Sequence, residues 1–313
     1  MKIAFLFPGQ GSQRVGMGAE LARDFTPARL IFEEADEALG SSLSRLCFEG
    51  PEEELRLTAN TQPAMLTVAI AALRAFESEF DAEPELAAGH SLGEYSALVA
   101  AGAIAFADAV KAVRQRGRLM QQACPAGRGA MAALIGLDPA AVSAICTDVS
   151  VDGRLAVPAN LNGPGQIVIA GHAEAVRRAV GLAKERGAAM AVELKVSAPF
   201  HSPLMQPAQE SMAKTLDAIE IRPLRFGVIA NATAALNTDA ARVKTLLLEQ
   251  ITAPVRWEES MTWLGRGGIS NAIEFGCGKV LAGLMRRIDK SVKIRPVEDT
   301  ASLKAAGEAL KTA

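Results

Sequence analysis

Short hydrophobic runs recur along the first and last thirds of the chain, and each ends in a turn that carries glycine or a polar residue. The runs are KIAFLF before PGQGSQ, ELAAGH before SLGEY, and FGVIAN at 226–231. Helix-like patterns follow them, and this alternation is expected of a mainly parallel sheet covered by helices. The first and last thirds of the chain therefore predict one α/β unit.

The pattern changes between residues 127 and 197, where it predicts four strands and two helices in the order βαββαβ, a ferredoxin-like order. In chain order they are a strand at 129–137, a helix at 139–147, strands at 155–161 and 166–170, a helix at 173–187 and a strand at 188–196. We predict a small domain at 127–197, inserted in a larger discontinuous domain formed by 1–126 and 198–313. A cleft between the two domains would be the natural binding site.

Composition and charge narrow the classes of partner. The 313 residues are 50% hydrophobic and 22% charged, with a formal net charge of −2, which does not favour nucleic acid as a partner. No apolar run approaches the roughly 20 residues that a membrane-spanning helix needs. Four separated cysteines without a CxxC pair, and only three histidines, suggest neither a disulfide framework nor a zinc site. We therefore expect a cytoplasmic protein that needs no metal, membrane or nucleic acid.

The turn PGQGSQ at 8–13 follows a strand but does not fit a nucleotide-binding motif. A GxGxxG pattern that starts at Gly9 requires glycine at position 14, where Arg14 stands, and no GxxxxGK[ST] motif occurs in the chain. A tight strand-to-helix turn without a catalytic role remains open for this segment.

GHSLGEY at 89–95 carries a more specific signal, because GxSxG at a strand-to-helix turn pushes the serine hydroxyl into a cleft. The backbone N–H of the next residue and the start of the helix would face developing negative charge. Ser91 is thus a candidate nucleophile, and the alternative is that it merely caps the helix.

A serine nucleophile needs a base, and elimination among the three histidines favours His201. His90 ends a strand beside Ser91, and adjacent strand side chains point to opposite faces. His172 lies at the predicted start of a small-domain helix, where a solvated or capping role is the simpler interpretation. His201 lies in SAPFHSP, at the return to the large domain, and could instead be only a hinge residue. The acidic member of a triad is not singled out among the four aspartates between Ser91 and His201, which are Asp108, Asp138, Asp148 and Asp152.

The segment 107–124 predicts an amphipathic helix on which Arg116 lies at the flank of the apolar face. That face comprises Val110, Val113, Gly117, Met120 and Cys124, whereas Lys111, Arg114 and Arg118 point away from it. An inward guanidinium cannot lose its charge and needs a partner. Arg116 therefore either forms a structural ion pair with Glu or Asp, or binds a substrate carboxylate through two hydrogen bonds.

Eight motifs together resemble the malonyl-CoA:acyl carrier protein transacylases of fatty-acid synthesis, over nearly the whole chain. They are FPGQGSQ, GHSLGEY, QRGRLMQ, GAMAALIGL, NGPGQIVIAG, SAPFHSPLM, QITAPVRW and GCGKVLAGL. The resemblance implies an α/β-hydrolase-like large domain with a parallel sheet and a ferredoxin-like insert. It also implies transfer of malonyl from malonyl-CoA to acyl carrier protein, and no cofactor, since coenzyme A enters as a thioester substrate. We expect the protein to act as a monomer.

The resemblance assigns roles position by position. Ser91 would be the nucleophile and His201 its base, and a main-chain carbonyl at Gln250 would orient the histidine in place of an acid. The backbone N–H groups of Gln10 and Leu92 would form the oxyanion hole. Two further residues would bind the acyl group: Arg116 the free carboxylate of malonyl, and Phe200 by crowding out a methyl branch. Cys277 departs from the family, which usually has proline there, so the rigidity of that loop is in question.

Two rival functions remain at this stage. Serine followed by histidine also fits esterases and thioesterases, although more than 100 residues follow His201. A catalytically silent binding subunit on the same fold is the other rival. A C-terminal group of six basic residues would either steer an acidic carrier protein or be solvated surface charge; it comprises Lys279, Arg286, Arg287, Lys290, Lys293 and Arg295.

Overall fold

The computed structural model describes residues 2–125, 127–196 and 198–311. Its strands are β1 (Ile3–Phe7), β2 (Leu86–Gly89), β3 (Gly129–Ile135), β4 (Ala156–Gly163), β5 (Gln166–His172), β6 (Met190–Glu193), β7 (Gly227–Ala230), β8 (Ala235–Asn237), β9 (Asn271–Phe275) and β10 (Lys293–Val297). Its α-helices are α1 (Ala19–Asp24), α2 (Thr26–Leu39), α3 (Leu43–Glu49), α4 (Glu52–Arg56), α5 (Thr58–Glu79), α6 (Gly93–Ala100), α7 (Phe106–Ala123), α8 (Pro139–Val149), α9 (Ala173–Glu185), α10 (Gln206–Asp217), α11 (Val243–Thr252), α12 (Trp257–Arg266), α13 (Val280–Ile288) and α14 (Thr300–Lys311). Short 3-10 helices lie at Pro203–Met205 and Ala240–Arg242.

The larger sheet has the strand order β10-β9-β1-β2-β7-β8, with all pairs parallel except the edge pair β7 and β8. The predicted α/β unit with a mainly parallel sheet is therefore confirmed. The register pairs Phe7 with Gly89, so the turns that follow β1 and β2 lie side by side. The carboxyl ends of parallel strands form one edge of the sheet, which is where such folds place their binding sites.

Both faces of this sheet are covered, as the continuous apolar strand IAFLF requires. Phe5 and Phe7 point to the side that packs against α5, where Phe5 and Phe275 meet edge to face with ring centroids 4.9 Å apart. Ala4 and Leu6 point to the other side, which α12 and α13 cover through residues such as Trp257. Alternate side chains of one strand thus belong to two separate hydrophobic clusters, one on each face of the sheet.

The smaller sheet has the order β4-β5-β3-β6, and all its pairs are antiparallel. Helices α8 and α9 pack a separate hydrophobic cluster against one of its faces. Its elements follow one another in the order β3, α8, β4, β5, α9 and β6, and the last strand is shorter than predicted, at Met190–Glu193. The chain leaves the sheet after Glu193, and residues 194–196 line a cleft instead.

The predicted domain boundaries fall on Ala126 and Ser197, which lie outside the described residues. Among the helices that the structure describes, none is both long and apolar enough to span a membrane. Within the described ranges, no group of three or more His, Cys, Asp or Glu residues is arranged to hold a metal ion.

Candidate active site

Ser91 lies in the turn between β2 and α6, with φ 51° in the left-handed region. Such a conformation costs a non-glycine residue about 1–3 kcal/mol and persists only where the surroundings enforce it. The flanking glycines allow it, because a Cβ at Gly89 would lie 1.9 Å from the carbonyl carbon of Gly93, and one at Gly93 would lie 2.1 Å from the Phe7 oxygen. The GxSxG spacing therefore reflects close backbone packing around a half-buried serine.

His201 is 110 residues from Ser91 in the sequence, but the fold brings the two side chains into contact. Its Nε2 is 2.7 Å from the Ser91 Oγ, and its Nδ1 is 2.8 Å from the Gln250 carbonyl oxygen. A carbonyl oxygen only accepts, so Nδ1 carries the hydrogen and Nε2 accepts from the serine hydroxyl. This tautomer is the one that a general base needs.

The environment of His201 keeps its imidazole neutral. Burial, followed by the positive charge of Arg116, lowers the pKa of His201 to about 3. The hydrogen bond to the Gln250 carbonyl orients the ring and raises the pKa, but burial and the charge of Arg116 outweigh it. A backbone carbonyl thus occupies the position beside His201 that the acidic residue of a triad would take.

Arg116 is fully buried, with 1% of its surface exposed, although it lies on the flank of the predicted apolar face of α7. Its Nη1 donates to the Gln62 Oε1 at 2.7 Å, and its Nη2 donates to the Gln250 Oε1 at 2.9 Å and to the Ser91 Oγ at 3.2 Å. No carboxylate lies within ion-pair distance of it in the described part of the chain. The alternative of a structural ion pair with Glu or Asp is therefore wrong.

One N–H group of the Arg116 guanidinium makes no hydrogen bond. It is the Nε–H, which is buried and has no partner among the described residues. The three hydrogen bonds of the guanidinium run to neutral acceptors, which are the amide oxygens of Gln62 and Gln250 and the Ser91 hydroxyl, and burial lowers the pKa of Arg116. A buried cation without a directly paired carboxylate, beside the serine hydroxyl, is suited to an anionic ligand.

The three other site residues from the resemblance also lie near Ser91. Gln10 follows β1 and its Oε1 accepts from the Thr58 hydroxyl at 2.6 Å, while Leu92 directly follows Ser91. The described residues provide no acceptor for the backbone N–H of Gln10 or of Leu92. Phe200 is buried at the wall of the cleft, next to His201.

The cleft has a volume of about 430 Å³ and receives side chains from both sheets. Ser91, Arg116 and His201 lie on the side of the larger sheet, and Met131, Asn160 and Val168 lie on the side of the smaller sheet. A volume of this size is typical of a small-molecule site. A cleft is therefore present between the two sheets, where the sequence predicts one between two domains.

The family of the chain follows from comparison with known proteins. Residues 4–288 match the family model of the acyl transferase domain. A malonyl CoA-acyl carrier protein transacylase of Bacillus subtilis is 51% identical, over 99% of this chain and 98% of the relative. The chain belongs to the malonyl CoA-acyl carrier protein transacylase family.

Solved structures of the family share the whole fold. The malonyl CoA-acyl carrier protein transacylase of Coxiella burnetii has a TM-score of 0.97 and 42% identity, with 99% of this chain and 98% of the other covered. A malonyl-transacylase solved in complex with a type II PKS acyl-carrier protein has a TM-score of 0.96 and 43% identity, with 99% and 100% covered. The agreement spans both sheets and the cleft between them.

Cys277, the departure from the family pattern, is hydrogen-bonded on both sides. Its Sγ accepts from the Arg14 Nη1 at 2.8 Å and lies 2.9 Å from the Ser12 carbonyl oxygen. Arg14 also pairs with Glu298, at 3.0 Å. These bonds tie the loop after β9 to the loop that carries Gln10, so hydrogen bonds restrain the loop where the family usually has proline.

Neither of the other histidines bonds to Ser91, so His201 is the histidine that the fold brings to the serine hydroxyl. The His90 Nε2 is 2.8 Å from the Asn162 Oδ1 across the cleft, and burial lowers the pKa of His90. The His172 Nδ1 accepts from the Leu155 N–H at 3.1 Å. His172 is therefore neither free in solvent nor a side-chain cap of α9, because it fixes the segment before β4.

The sequence motifs do not predict the polar residues that lie beneath the serine turn, Asn231 and Glu94. Asn231 follows β7, and its Oδ1 accepts from the Ser91 N–H at 2.6 Å. Glu94, inside GHSLGEY, accepts from the Asn231 N–H at 3.0 Å and from the Gln250 Nε2 at 2.7 Å. Burial raises the pKa of Glu94 to about 7. A polar Asn at the end of the run FGVIAN is the one sequence signal that marks Asn231.

Proposed function

We propose that this protein transfers the malonyl group from malonyl-CoA to the phosphopantetheine thiol of acyl carrier protein through a malonyl-Ser91 intermediate. The observation that carries the proposal is the chain of hydrogen bonds from Ser91 through His201 to the Gln250 carbonyl, with the Arg116 Nη2 3.2 Å from the serine oxygen. It supports the proposal because Ser91 would act as the nucleophile, His201 as the neutral base and Arg116 as the fixed cation at one point of the cleft.

In the first half-reaction, His201 Nε2 takes the hydroxyl proton while Ser91 Oγ attacks the thioester carbonyl. The negative charge on the carbonyl oxygen would be stabilised by the N–H groups of Gln10 and Leu92. The carbon–sulfur bond then breaks, and the proton on His201 passes to the coenzyme A thiolate. In the second half-reaction His201 takes the proton of the phosphopantetheine thiol, the thiolate attacks the malonyl ester, and Ser91 recovers its proton.

Arg116 would hold the free carboxylate of malonyl with two parallel hydrogen bonds. Its unpartnered buried Nε and its amide partners support this role, because the amide oxygens of Gln62 and Gln250 are replaceable acceptors. Phe200, at the wall of the cleft, would crowd a branched acyl group next to His201.

The carrier protein would approach from the mouth of the cleft. The relative solved with a type II PKS acyl-carrier protein supports a partner of this class. Arg286 and Arg287 are exposed on the last turn of α13, a helix whose first turns line the cleft. They would steer an acidic partner. We propose that the protein acts as a monomer in the cytoplasm and needs no cofactor.

We also propose an architecture for each of the two units of the fold. The larger unit, formed by 1–126 and 198–313, would be an α/β-hydrolase-like domain, and 127–197 would be a ferredoxin-like insert. The element order βαββαβ and the sheet order β4-β5-β3-β6 support the second assignment. The strand–turn–helix around Ser91 supports the first.

Mass spectrometry of the intact protein mixed with malonyl-CoA, with and without carrier protein, tests the function. We expect a malonyl adduct on Ser91 that disappears as malonyl-carrier protein forms. Release of free malonate without carrier protein would favour a thioesterase. Absence of any adduct or product would favour the silent binding subunit.

A further inference from the structure

The polar side chain of Asn231 spans the base of the serine turn. Its Oδ1 accepts from the Ser91 N–H at 2.6 Å, and its Nδ2 donates to the Gly89 carbonyl at 2.7 Å. One side chain thus binds the backbone on both sides of His90. Asn231 is itself 1% exposed, so water does not compete for these bonds.

The position of Asn231 follows from the sheet. Strand β7 runs parallel to β2 with Ala88 paired to Ile229, so the residue after β7 lies beside the turn after β2. The backbone of Asn231 is fixed independently, because its N–H donates to the Glu94 Oε2 at 3.0 Å and its carbonyl accepts from the Arg256 N–H at 3.1 Å. The amide is therefore held rigidly against the turn.

Ser91 needs such a restraint because its φ of 51° is unfavourable for a residue with a side chain. Without Asn231, the Ser91 N–H and the Gly89 carbonyl would lose their partners, and the turn could relax toward an ordinary conformation. Relaxation would move the Oγ away from the His201 Nε2, which it now meets at 2.7 Å.

We propose that Asn231 is a positioning residue that holds the strained Ser91 backbone in the conformation in which its hydroxyl is aligned with His201. The inference rests on the proposed function, since it concerns how fast Ser91 is acylated. Asn231 touches neither the substrate nor the reacting atoms, and it acts through the backbone of the nucleophile.

The first test compares Asn231→Ala with Asn237→Ala. Asn237 is a matched control, because it is also a buried asparagine bonded to backbone, but its contacts are with Asp239 at the end of β8. The measurement is the rate of malonyl-Ser91 formation in rapid-quench experiments on the full-length folded protein. A displaced nucleophile slows acylation, and we expect Asn231→Ala to be about 10- to 100-fold slower at saturating malonyl-CoA. Its KM should stay within about threefold of wild type, and Asn237→Ala should acylate within about twofold of wild type.

Asn231→Asp supplies a readout that a purely structural role would not change, and it decides the question if the alanine variant does not fold. A protonated aspartic acid can accept from the Ser91 N–H and donate to the Gly89 carbonyl, whereas the ionised form can only accept. Burial beside Glu94 favours the protonated form. The acylation rate of Asn231→Asp relative to wild type should therefore rise as the pH falls from 8 to 6. Glu94 touches position 231 and would titrate together with the new carboxyl, so the ratio is also measured in the Glu94→Gln background, where a change with pH that persists belongs to position 231.

Equal acylation rates in Asn231→Ala and wild type would overturn the inference, and so would a ratio for Asn231→Asp that does not change with pH. If wild type itself carries no malonyl group on Ser91, the proposed function fails instead. A wild type that is acylated normally leaves only the role of Asn231 in question.

Discussion

The floor and the mouth of the cleft are built in opposite ways. We define the floor as Ser91, Arg116, His201 and Gln250; of these, Arg116, His201 and Gln250 are at most 3% exposed, and all are joined by hydrogen bonds. We define the mouth as Lys195, Val196 and Val280, which line the cleft and are exposed, Val196 and Val280 at 43% and 47%, together with Arg286 and Arg287 on the exposed last turn of α13.

If the protein acts as proposed, this difference would separate the residues that carry out the chemistry from those that recognise the carrier protein. At the floor, burial sets the charge states, because it lowers the pKa of His201 and leaves Arg116 with amide partners. At the mouth, water screens the charges, so individual residues there contribute little and act mainly on association. Substitutions at the floor should therefore change the rate of chemistry, and substitutions at the mouth should change only encounter with the carrier protein.

Ser91→Ala should produce the largest effect. Loss of a serine nucleophile lowers kcat on the order of a millionfold in serine hydrolases, so neither adduct nor transfer should be detectable. His201→Ala should slow acylation severely yet leave malonyl-CoA binding nearly intact, because His201 bonds to the nucleophile. Mass spectrometry and calorimetric titration measure the two quantities. Transfer by Ser91→Ala at the wild-type rate would show that Ser91 is not the nucleophile and that the floor residues do not carry out the reaction.

Arg116→Ala tests whether the buried cation serves the substrate or the fold. Loss of one partner of a desolvated charge pair costs about 2–5 kcal/mol, which corresponds to a loss of roughly 30-fold to several thousandfold in kcat/KM with malonyl-CoA. Acetyl-CoA lacks the carboxylate, so its slow transfer should be unchanged or improved. Arg116→Lys should rescue only partly, because a lysine cannot make the same two-pronged contact.

Arg118→Ala is the matched control for this prediction, since Arg118 lies on the same helix but is exposed to solvent. It should leave the ratio of the kcat/KM values for malonyl-CoA and acetyl-CoA unchanged. If Arg116→Ala lowers both activities equally, Arg116 supports the floor structurally and the carboxylate binds elsewhere.

Some residues of the floor could be predicted from the sequence and others could not. Ser91 and Arg116 are predictable as site residues because each has a local signal: Ser91 lies in a glycine-flanked turn, and Arg116 is a charged residue at the edge of an apolar helix face. The amide partners of Arg116 are not predictable in this way, since nothing local shows that Gln62 and Gln250, 54 and 134 residues away, supply neutral acceptors. Asn231 was missed for the same reason, because its bond to Ser91 depends on β7 lying beside β2. Strand order is a property of the folded sheet and leaves no mark in periodicity.

Reversal of charge at the mouth should have a moderate effect. Arg286→Glu with Arg287→Glu should lower kcat/KM for carrier protein by about tenfold at low salt, and the loss should shrink as salt screens the charges. The half-reaction with malonyl-CoA should be unchanged. Steady-state rates at two ionic strengths measure both. Equal losses in the two half-reactions would mean that the variant disturbs the floor, and the separation of floor and mouth would not hold.

The smallest expected effect is that of pH on the first half-reaction. An imidazole with the ordinary pKa of about 6.5 would be mostly protonated at pH 5, and acylation would fall about 30-fold between pH 8 and pH 5. Burial and the charge of Arg116 lower the pKa of His201 to about 3, so its neutral form persists throughout this range. The rate of malonyl-Ser91 formation should therefore change by no more than about twofold from this group. Glu94, whose pKa burial raises to about 7, also titrates here, and Glu94→Gln separates its contribution. A tenfold loss per pH unit below 6.5 that persists in Glu94→Gln would show that His201 is solvated in the working enzyme, and that the floor is less closed than its hydrogen bonds indicate.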